Sequence, residues 1–239
     1  MTLLIETGPT QFKYARLVDG RPSEIEFLVG GSSAAEPPWP SALARLAPTP
    51  HAVFVAHGGA ATLQPRLAEW IRRAWHIDPQ FIVPPTGAVP AAPLGRYLAL
   101  VGARARGLCP ALVVTADVAI GIDLLGADGQ RMGVWTFPGE RPMREALYAQ
   151  TSGIAAAALL DVAAVEAGFG VNTAGAVQEG ARLAIASCVA AVAARIGAQV
   201  AVVATGRYAV EAVRYVPAVQ VLENLSLEGL ASIVAERTV

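Results

Sequence analysis

Apolar and polar positions along the chain fall into two similar series. Residues 112–139, LVVTADVAIGIDLLGADGQRMGVWTFPG, read as an apolar run, a tight polar turn, a second strand, an Asp-Gly hairpin signal and a third strand. Residues 3–30, LLIETGPTQFKYARLVDGRPSEIEFLVG, follow the same plan. Laid over one another without a gap, Leu3 falls on Leu112, Asp19-Gly20 on Asp128-Gly129 and Gly30 on Gly139, a constant offset of 109 residues. Few side chains agree, so the spacing of apolar runs and turns carries the likeness. It predicts two domains built on one plan, over residues 1–107 and 108–239.

Between and after these series the pattern alternates. Leu3-Leu4-Ile5 is a continuous apolar run, as in a strand covered on both faces. Residues 6–10 form a turn, 12–18 a second strand and 24–29 a third, with a short helix expected near 41–46 in a Gly-, Ser- and Pro-rich connection. A strand over 52–56 leads to His57-Gly58-Gly59. Leu63, Leu67, Trp70 and Ile71 then recur at helical spacing and predict a helix over 62–75. A strand at 81–83, a Pro-rich loop over 84–93 and a helix from Gly95 to Gly107 complete the first half. The second half predicts helices over 141–150, 154–167 and 174–196, the last capped by Asn172-Thr173. A strand at 199–204, a short helix at 208–214, a strand at 219–222 and a closing helix at 227–236 follow. Strands and helices alternate throughout, which is an α/β pattern.

Composition narrows the class. The 239 residues are 54% hydrophobic and 15% charged, with a net charge of −1. A pI near 6.3 gives no electrostatic footprint for nucleic acid. No basic N-terminal region precedes the first apolar run, and the Ala-rich runs near 154–165 and 183–196 are broken by Asp161 and Arg195. The expectation is a cytoplasmic protein with no membrane span. Cys109 and Cys188, the two cysteines, are expected as small core residues, with a disulfide left open. The three histidines, His51, His57 and His76, lack metal-ligand spacing. Trp70 and Trp75 are expected in the core, and Trp39 over an edge.

The turns are where chemistry enters. A turn between two buried strands aims several backbone N–H groups at one place, which can hold a phosphate, and a carboxylate beside it can hold a metal on that phosphate. Glu6, Gly8, Thr10 and Lys13 supply those parts, although Gly-Thr turns are also common without a ligand.

Two such turns resemble the sugar kinase, heat-shock protein and actin superfamily, and within it the type III pantothenate kinases, also called the Bvg accessory factor family. The chain carries Glu6-Thr7-Gly8-Pro9-Thr10-Gln11-Phe12-Lys13 for the family's Asp-x-Gly-Asn-Thr-x-x-Lys. Leu94-Gly95-Arg96-Tyr97-Leu98-Ala99 stands around its Gly-x-Asp-Arg, and Thr115-Ala116-Asp117-Val118-Ala119 for its Asp-x-Gly-Thr-Ala. Gly133, Pro138-Gly139, Met143 and Ala146-Leu147, the segment 170–180 with Thr173, Thr205-Gly206 and the Leu-x-Gly-Leu of 227–230 are similar as well. The resemblance implies two ribonuclease H-like α/β domains with duplicated strand-turn-strand cores. It implies ATP and Mg at Glu6, Gly8, Thr10, Lys13, Thr205 and Gly206, with Glu6 on the metal. It also implies pantothenate at Arg96 and Thr173, and a dimer through helices of the second domain.

Against the same resemblance several active positions fail. Where the family has its proton-accepting Asp the chain has Gly95, and general-base help is worth about 10²–10⁴ in rate. Pro9 removes a backbone donor from the phosphate turn. Thr115 removes the carboxylate of the monovalent cation site, Asp117 places a charge where glycine would approach phosphate, and Val118 deletes a hydroxyl. No Tyr lies between Asp78 and Arg96 to line a pantothenate pocket. The expectation is a pantothenate kinase-like pseudoenzyme, or a subunit in a homodimer or a heterodimer with an active paralogue. The alternatives are an active kinase with a rearranged site and a ligand-sensing module of the same fold.

Overall fold

The computed structural model describes residues 1–8, 11–29, 39–84, 92–151 and 169–238. It divides into two units, Met1–Arg106 with Leu225–Val239, and Gly107–Asn224. The expected helix over 154–167 lies outside the described residues, as do Pro9 and Thr10.

In the first unit β1 (Thr2–Thr7), β2 (Gln11–Val18) and β3 (Arg21–Val29) form an antiparallel meander. Asp19 and Gly20 both take positive φ (49° and 73°), the pairing that a two-residue hairpin turn requires. After the short helix α1 (Trp39–Leu43), β4 (Ala52–His57) joins β1 in parallel. Helix α2 (Leu63–Trp75) leads to β5 (Gln80–Ile82) beside β4. The sheet order is β3-β2-β1-β4-β5. Leu3, Leu4 and Ile5 of β1 are fully buried because both faces of the central strand are covered. One face packs on α1 and α2 through Leu43, Leu67 and Ile71. The other packs on Leu98 of α3 (Leu94–Ala105) and on Leu227 and Leu230 of the closing helix.

The second unit repeats this order. Strands β6 (Ala111–Ala116), β7 (Ala119–Leu125) and β8 (Arg131–Pro138) form its meander, β9 (Ala201–Thr205) pairs in parallel with β6, and β10 (Val219–Val221) with β9. The order β10-β9-β6-β7-β8 is that of the first sheet. Helices α4 (Glu140–Gln150), α5 (Thr173–Ile196) and α6 (Ala209–Ala212) accompany it. The offset seen in the sequence is thus the offset between two copies of one sheet.

Asn172 caps α5, its side-chain oxygen accepting from the Gly175 N–H at 2.8 Å. Among the described residues α5 is the one helix long and apolar enough to cross a membrane by length and composition. Here Ile185, Ala186, Val189 and Val192 bury it in the core of the second unit. Its buried Glu179 accepts from Arg182 at 2.9 Å and pairs with Arg214 at 3.6 Å, and buried Gln178 accepts from Arg144 at 3.3 Å.

Three expectations change. The closing helix α7 (Leu225–Thr238) belongs to the first unit, although its sequence position suggested the second. It packs on α3 at a glycine crossing: a Cβ on Gly102 would lie 2.2 Å from the Leu225 carbonyl oxygen, and one on Gly229 1.9 Å from that of Leu98. Leu225, Leu227, Leu230 and Val234 are each fully buried there. Arg106 at the end of α3 closes the contact with both oxygens of Glu228, one at 2.7 Å, and the hydrogen bond holds its guanidinium above its usual pKa range. Secondly, Trp39 lies in the core, stacked on Phe12 at 5.6 Å, because its ring completes the apolar face of the first sheet. Trp70 and Trp75 meet edge to face at its margin, 5.2 Å apart. Finally, Cys188 is exposed and Cys109 half-buried, and both are free thiols, since Cys188 lies on the outer side of α5.

Candidate functional site

The first turn follows directly from β1. The strand runs through Thr7, so Glu6 sits within it rather than in the turn. Glu6 pairs across the ladder with Lys13 of β2, and both side chains stand on one face of the sheet. The Lys13 ammonium is 3.7 Å from Glu6 Oε2, with the two side chains only 11% and 15% exposed. The same ammonium lies 5.6 Å from the centre of the Phe27 ring. Lys13 is therefore a buried, paired cation rather than a solvated one.

Two further elements reach Glu6. At the start of α7, Ser226 donates its hydroxyl to Glu6 Oε2 at 2.8 Å. In the first turn of α3, Gly95 leaves an opening, and the nearest atom to where its Cβ would lie is Glu6 Oε1, at 3.7 Å. One carboxylate oxygen is thus held by Ser226 and Lys13. The other faces the place where a side chain at position 95 would begin, and no donor reaches it among the described residues. Arg96, one residue on, is half-buried and engaged in the structure. Ser226 was missed by sequence reasoning. Its only signal was a serine near the start of a helix, and nothing local said which unit that helix joins.

The turn after β1 begins at Gly8. The Gly8 N–H donates to the Gln11 carbonyl at 2.8 Å, and Pro9 has no N–H to offer. Beside it Thr7 and His57, paired across β1 and β4, form a second polar contact. His57 Nε2 donates to the Ala60 carbonyl at 3.0 Å, which leaves Nδ1 to accept the Thr7 hydroxyl at 2.6 Å. This ties the end of β1 to the turn after β4. It is a structural pin, with Thr7 only 1% exposed.

In the second unit the corresponding turn is Asp117-Val118. The Asp117 N–H donates to the Ala119 carbonyl at 3.2 Å, and the Gly139 N–H to the Val118 carbonyl at 2.9 Å. Val118 presents an apolar side chain, 41% exposed, at its tip. Thr115 faces Thr205 across β6 and β9, and Thr205 donates to the Glu223 carbonyl at 3.4 Å. Gly206 follows with φ 104°, and a Cβ there would lie 2.4 Å from the Ala116 carbonyl oxygen, so only glycine fits. Thr115, Thr205 and Gly206 are brought together. Thr173 is not among them: it opens α5, exposed, on a cavity of about 730 Å³ with Asn172, Arg144 and Leu147.

The donor set suits a divalent metal poorly. Magnesium is held by one or two carboxylates together with substrate phosphates. The one carboxylate of the first turn already has a hydroxyl and an ammonium on one oxygen and points the other at position 95. No group of three or more His, Cys, Asp or Glu side chains that could hold a metal ion occurs among the described residues.

A family model described as Type III pantothenate kinase matches residues 2–195. A Type III pantothenate kinase from Methylibium petroleiphilum is 34% identical over 177 residues, 64% of this chain and 67% of that protein. Another, from Nitrosococcus oceani, is 26% identical over 171 residues, 64% of this chain and 63% of that one. The matched part of the chain thus spans about two thirds of these curated relatives, slightly less for the second. Among solved structures, a Sinorhizobium meliloti protein described as a 2-dehydro-3-deoxygalactonokinase superposes with a TM-score of 0.63 at 14% identity, covering 100% of this chain and 99% of that one. At that identity the likeness is one of fold.

Proposed function

The chain belongs to the type III pantothenate kinase family and has the duplicated ribonuclease H-like α/β fold of the sugar kinases and actin, and from that premise we propose that it is a pantothenate kinase-like protein whose catalysis is impaired when it acts alone. The observation that carries this reading is at Gly95. The nearest atom to the missing side chain is an oxygen of Glu6, so a single carboxylate stands where the family resemblance calls for two, one for the metal and one for the proton. Losing a positioned proton acceptor costs about 10²–10⁴ in rate. The N–H groups of Gly8 and Asp117 bond to neighbouring carbonyls, which leaves fewer donors for phosphate and agrees with the same reading.

ATP and pantothenate are the ligands the family assignment points to, with Lys13, Arg96, Thr173, Thr205 and Gly206 as the residues retained to meet them. The partner in this reading is a second copy or an active paralogue, joined through apolar side chains exposed on α5 and just before it, Leu183 (52% exposed), Phe169 (77%) and Val171 (75%). The test is turnover of ATP and pantothenate by the purified chain, alone and mixed with an active family member from the same cell. Low turnover alone, raised on mixing beyond that of the active member by itself, supports the subunit reading. Turnover by the chain alone at the rate of active relatives overturns it.

A further inference from the structure

The carboxylate of Glu6 has an asymmetry that the ion pair does not explain. Oε2 takes both partners, the Ser226 hydroxyl at 2.8 Å and the Lys13 ammonium at 3.7 Å. Oε1 has no donor among the described residues and lies 3.7 Å from the position of a Cβ on Gly95. A carboxylate held on one side and open on the other is oriented rather than merely neutralised. Its open oxygen is an acceptor for a hydroxyl or N–H that enters from the side of position 95. Glycine at the first turn of α3 keeps that approach free, since a side chain there would meet the oxygen.

The fixing partners come from separate elements, Lys13 from β2 and Ser226 from α7. The ammonium lies against Oε2 and the two side chains are only 11% and 15% exposed, so the carboxylate is held in a mostly buried place. A rotamer held by packing and by outer hydrogen bonds is what an acceptor of protons needs in order to act at one point in space.

We propose that Glu6 has taken over the place of an acidic side chain at position 95 and is the proton-accepting residue of the phosphoryl transfer that this chain retains. This rests on the pantothenate kinase-like reading above. In the step, the hydroxyl oxygen of the acceptor attacks the γ-phosphorus of ATP, the new O–P bond forms, and the bond from that phosphorus to the β-phosphate bridging oxygen breaks. ADP leaves with that electron pair, and the hydroxyl proton passes to Glu6 Oε1. Lys13 and Ser226 are positioning residues for the carboxylate. The longer stem of Glu6 and the bare backbone of Gly95 are thus one partly compensated change, with a single carboxylate left in the site, and placing an acid at position 95 alone sets two carboxylates against each other.

The experiment measures transfer from ATP to pantothenate, with full-length protein at high concentration and long incubation, for the wild type, Glu6→Gln, Gly95→Asp and the Glu6→Gln/Gly95→Asp double variant. Glu6→Gln is expected to lower kcat at least 100-fold with the KM for pantothenate unchanged, and the double variant to regain at least tenfold over Glu6→Gln. Gly95→Asp alone is expected to show no gain. Wild-type turnover in Glu6→Gln, no recovery in the double variant, or no transfer at all by the wild type would each overturn the proposal. Because Glu6→Gln leaves Lys13 unpaired and risks misfolding, Glu6→Asp serves as the second variant. It keeps the charge while drawing the acceptor back by one methylene, and is expected to fold with kcat lowered at least tenfold; Glu6→Asp at wild-type kcat is a refutation. Wild-type turnover as fast as active relatives would remove the impaired-kinase reading but leave this comparison decisive. Absent turnover removes the acceptor role and leaves that reading in place.

Discussion

Replacing Gly229 with alanine probes the contact that brings Ser226 to Glu6. A methyl group at that position would start 1.9 Å from the Leu98 carbonyl oxygen and 2.9 Å from the Gly102 nitrogen, both backbone atoms in α3. Ordinary contact begins at 3.4 Å, so α7 has to move about 1.5 Å from α3 or tilt by an equivalent amount. Overpacking of this kind costs about 1–3 kcal/mol, and a backbone neighbour that cannot rotate away places it toward the upper end. At roughly 2–4 °C per kcal/mol for a chain of this size, the melting temperature should fall by about 6–12 °C. The assay is thermal unfolding followed by circular dichroism, with Gly180→Ala as control. Gly180 lies inside α5 with nothing within 4 Å of an added Cβ, so alanine there should stabilise by about 0.5–1 kcal/mol through helix propensity. A Gly229→Ala protein melting within 2 °C of wild type, with the control behaving as expected, would refute the glycine crossing (a threshold of about one third of the smallest predicted shift).

Further outcomes concern the first sheet and the assembly. The Tyr14 hydroxyl is held above the usual tyrosine value of 10.0, chiefly by burial and then by Glu26, with Arg45 opposing. The folded state therefore keeps its proton where the unfolded chain has lost it, and this contribution to stability falls as pH rises above the unfolded value. Absorbance near the phenolate band should show one late-titrating tyrosine that Tyr14→Phe removes; an unchanged titration in that variant would contradict the burial effect. Light scattering at micromolar concentration should give a dimer for the chain alone or for its mixture with an active paralogue, and monomers in both samples would remove the dimer from the account.

The duplication was legible because it is local. Apolar runs, Asp-Gly turns and their spacing are properties of neighbouring residues, and the same offset separates β1 from β6 and the hairpin turn at Gly20 from that at Gly129. The strand order β3-β2-β1-β4-β5 and its repeat then follow from the meander and the parallel crossover. The home of α7 was not legible. Its contact depends on two glycines, Gly102 and Gly229, that meet only when two helices cross, and nothing in the apolar pattern of 227–236 chooses one sheet over the other.

The candidate site was legible as a set of residue types but not as an arrangement. Glu6, Lys13 and Gly95 could be singled out, whereas the approach of Glu6 Oε1 to Gly95 depends on β1 and α3 lying side by side. Ser226 could not be found at all without α7 in place. Lys13 illustrates the same limit, since a lone lysine in an alternating strand reads as a solvated charge until its partner on the neighbouring strand is known.

Phosphoryl transfer followed in a single turnover, with the protein in excess over radiolabelled ATP and pantothenate saturating, isolates the chemical step from product release. The account predicts a transfer rate constant at least about 100-fold below that of an active family member measured in parallel, the smallest loss expected when the proton acceptor at position 95 is missing. A rate constant within about tenfold of that member, for the chain on its own, would contradict the claim that one carboxylate at Glu6 leaves the site impaired.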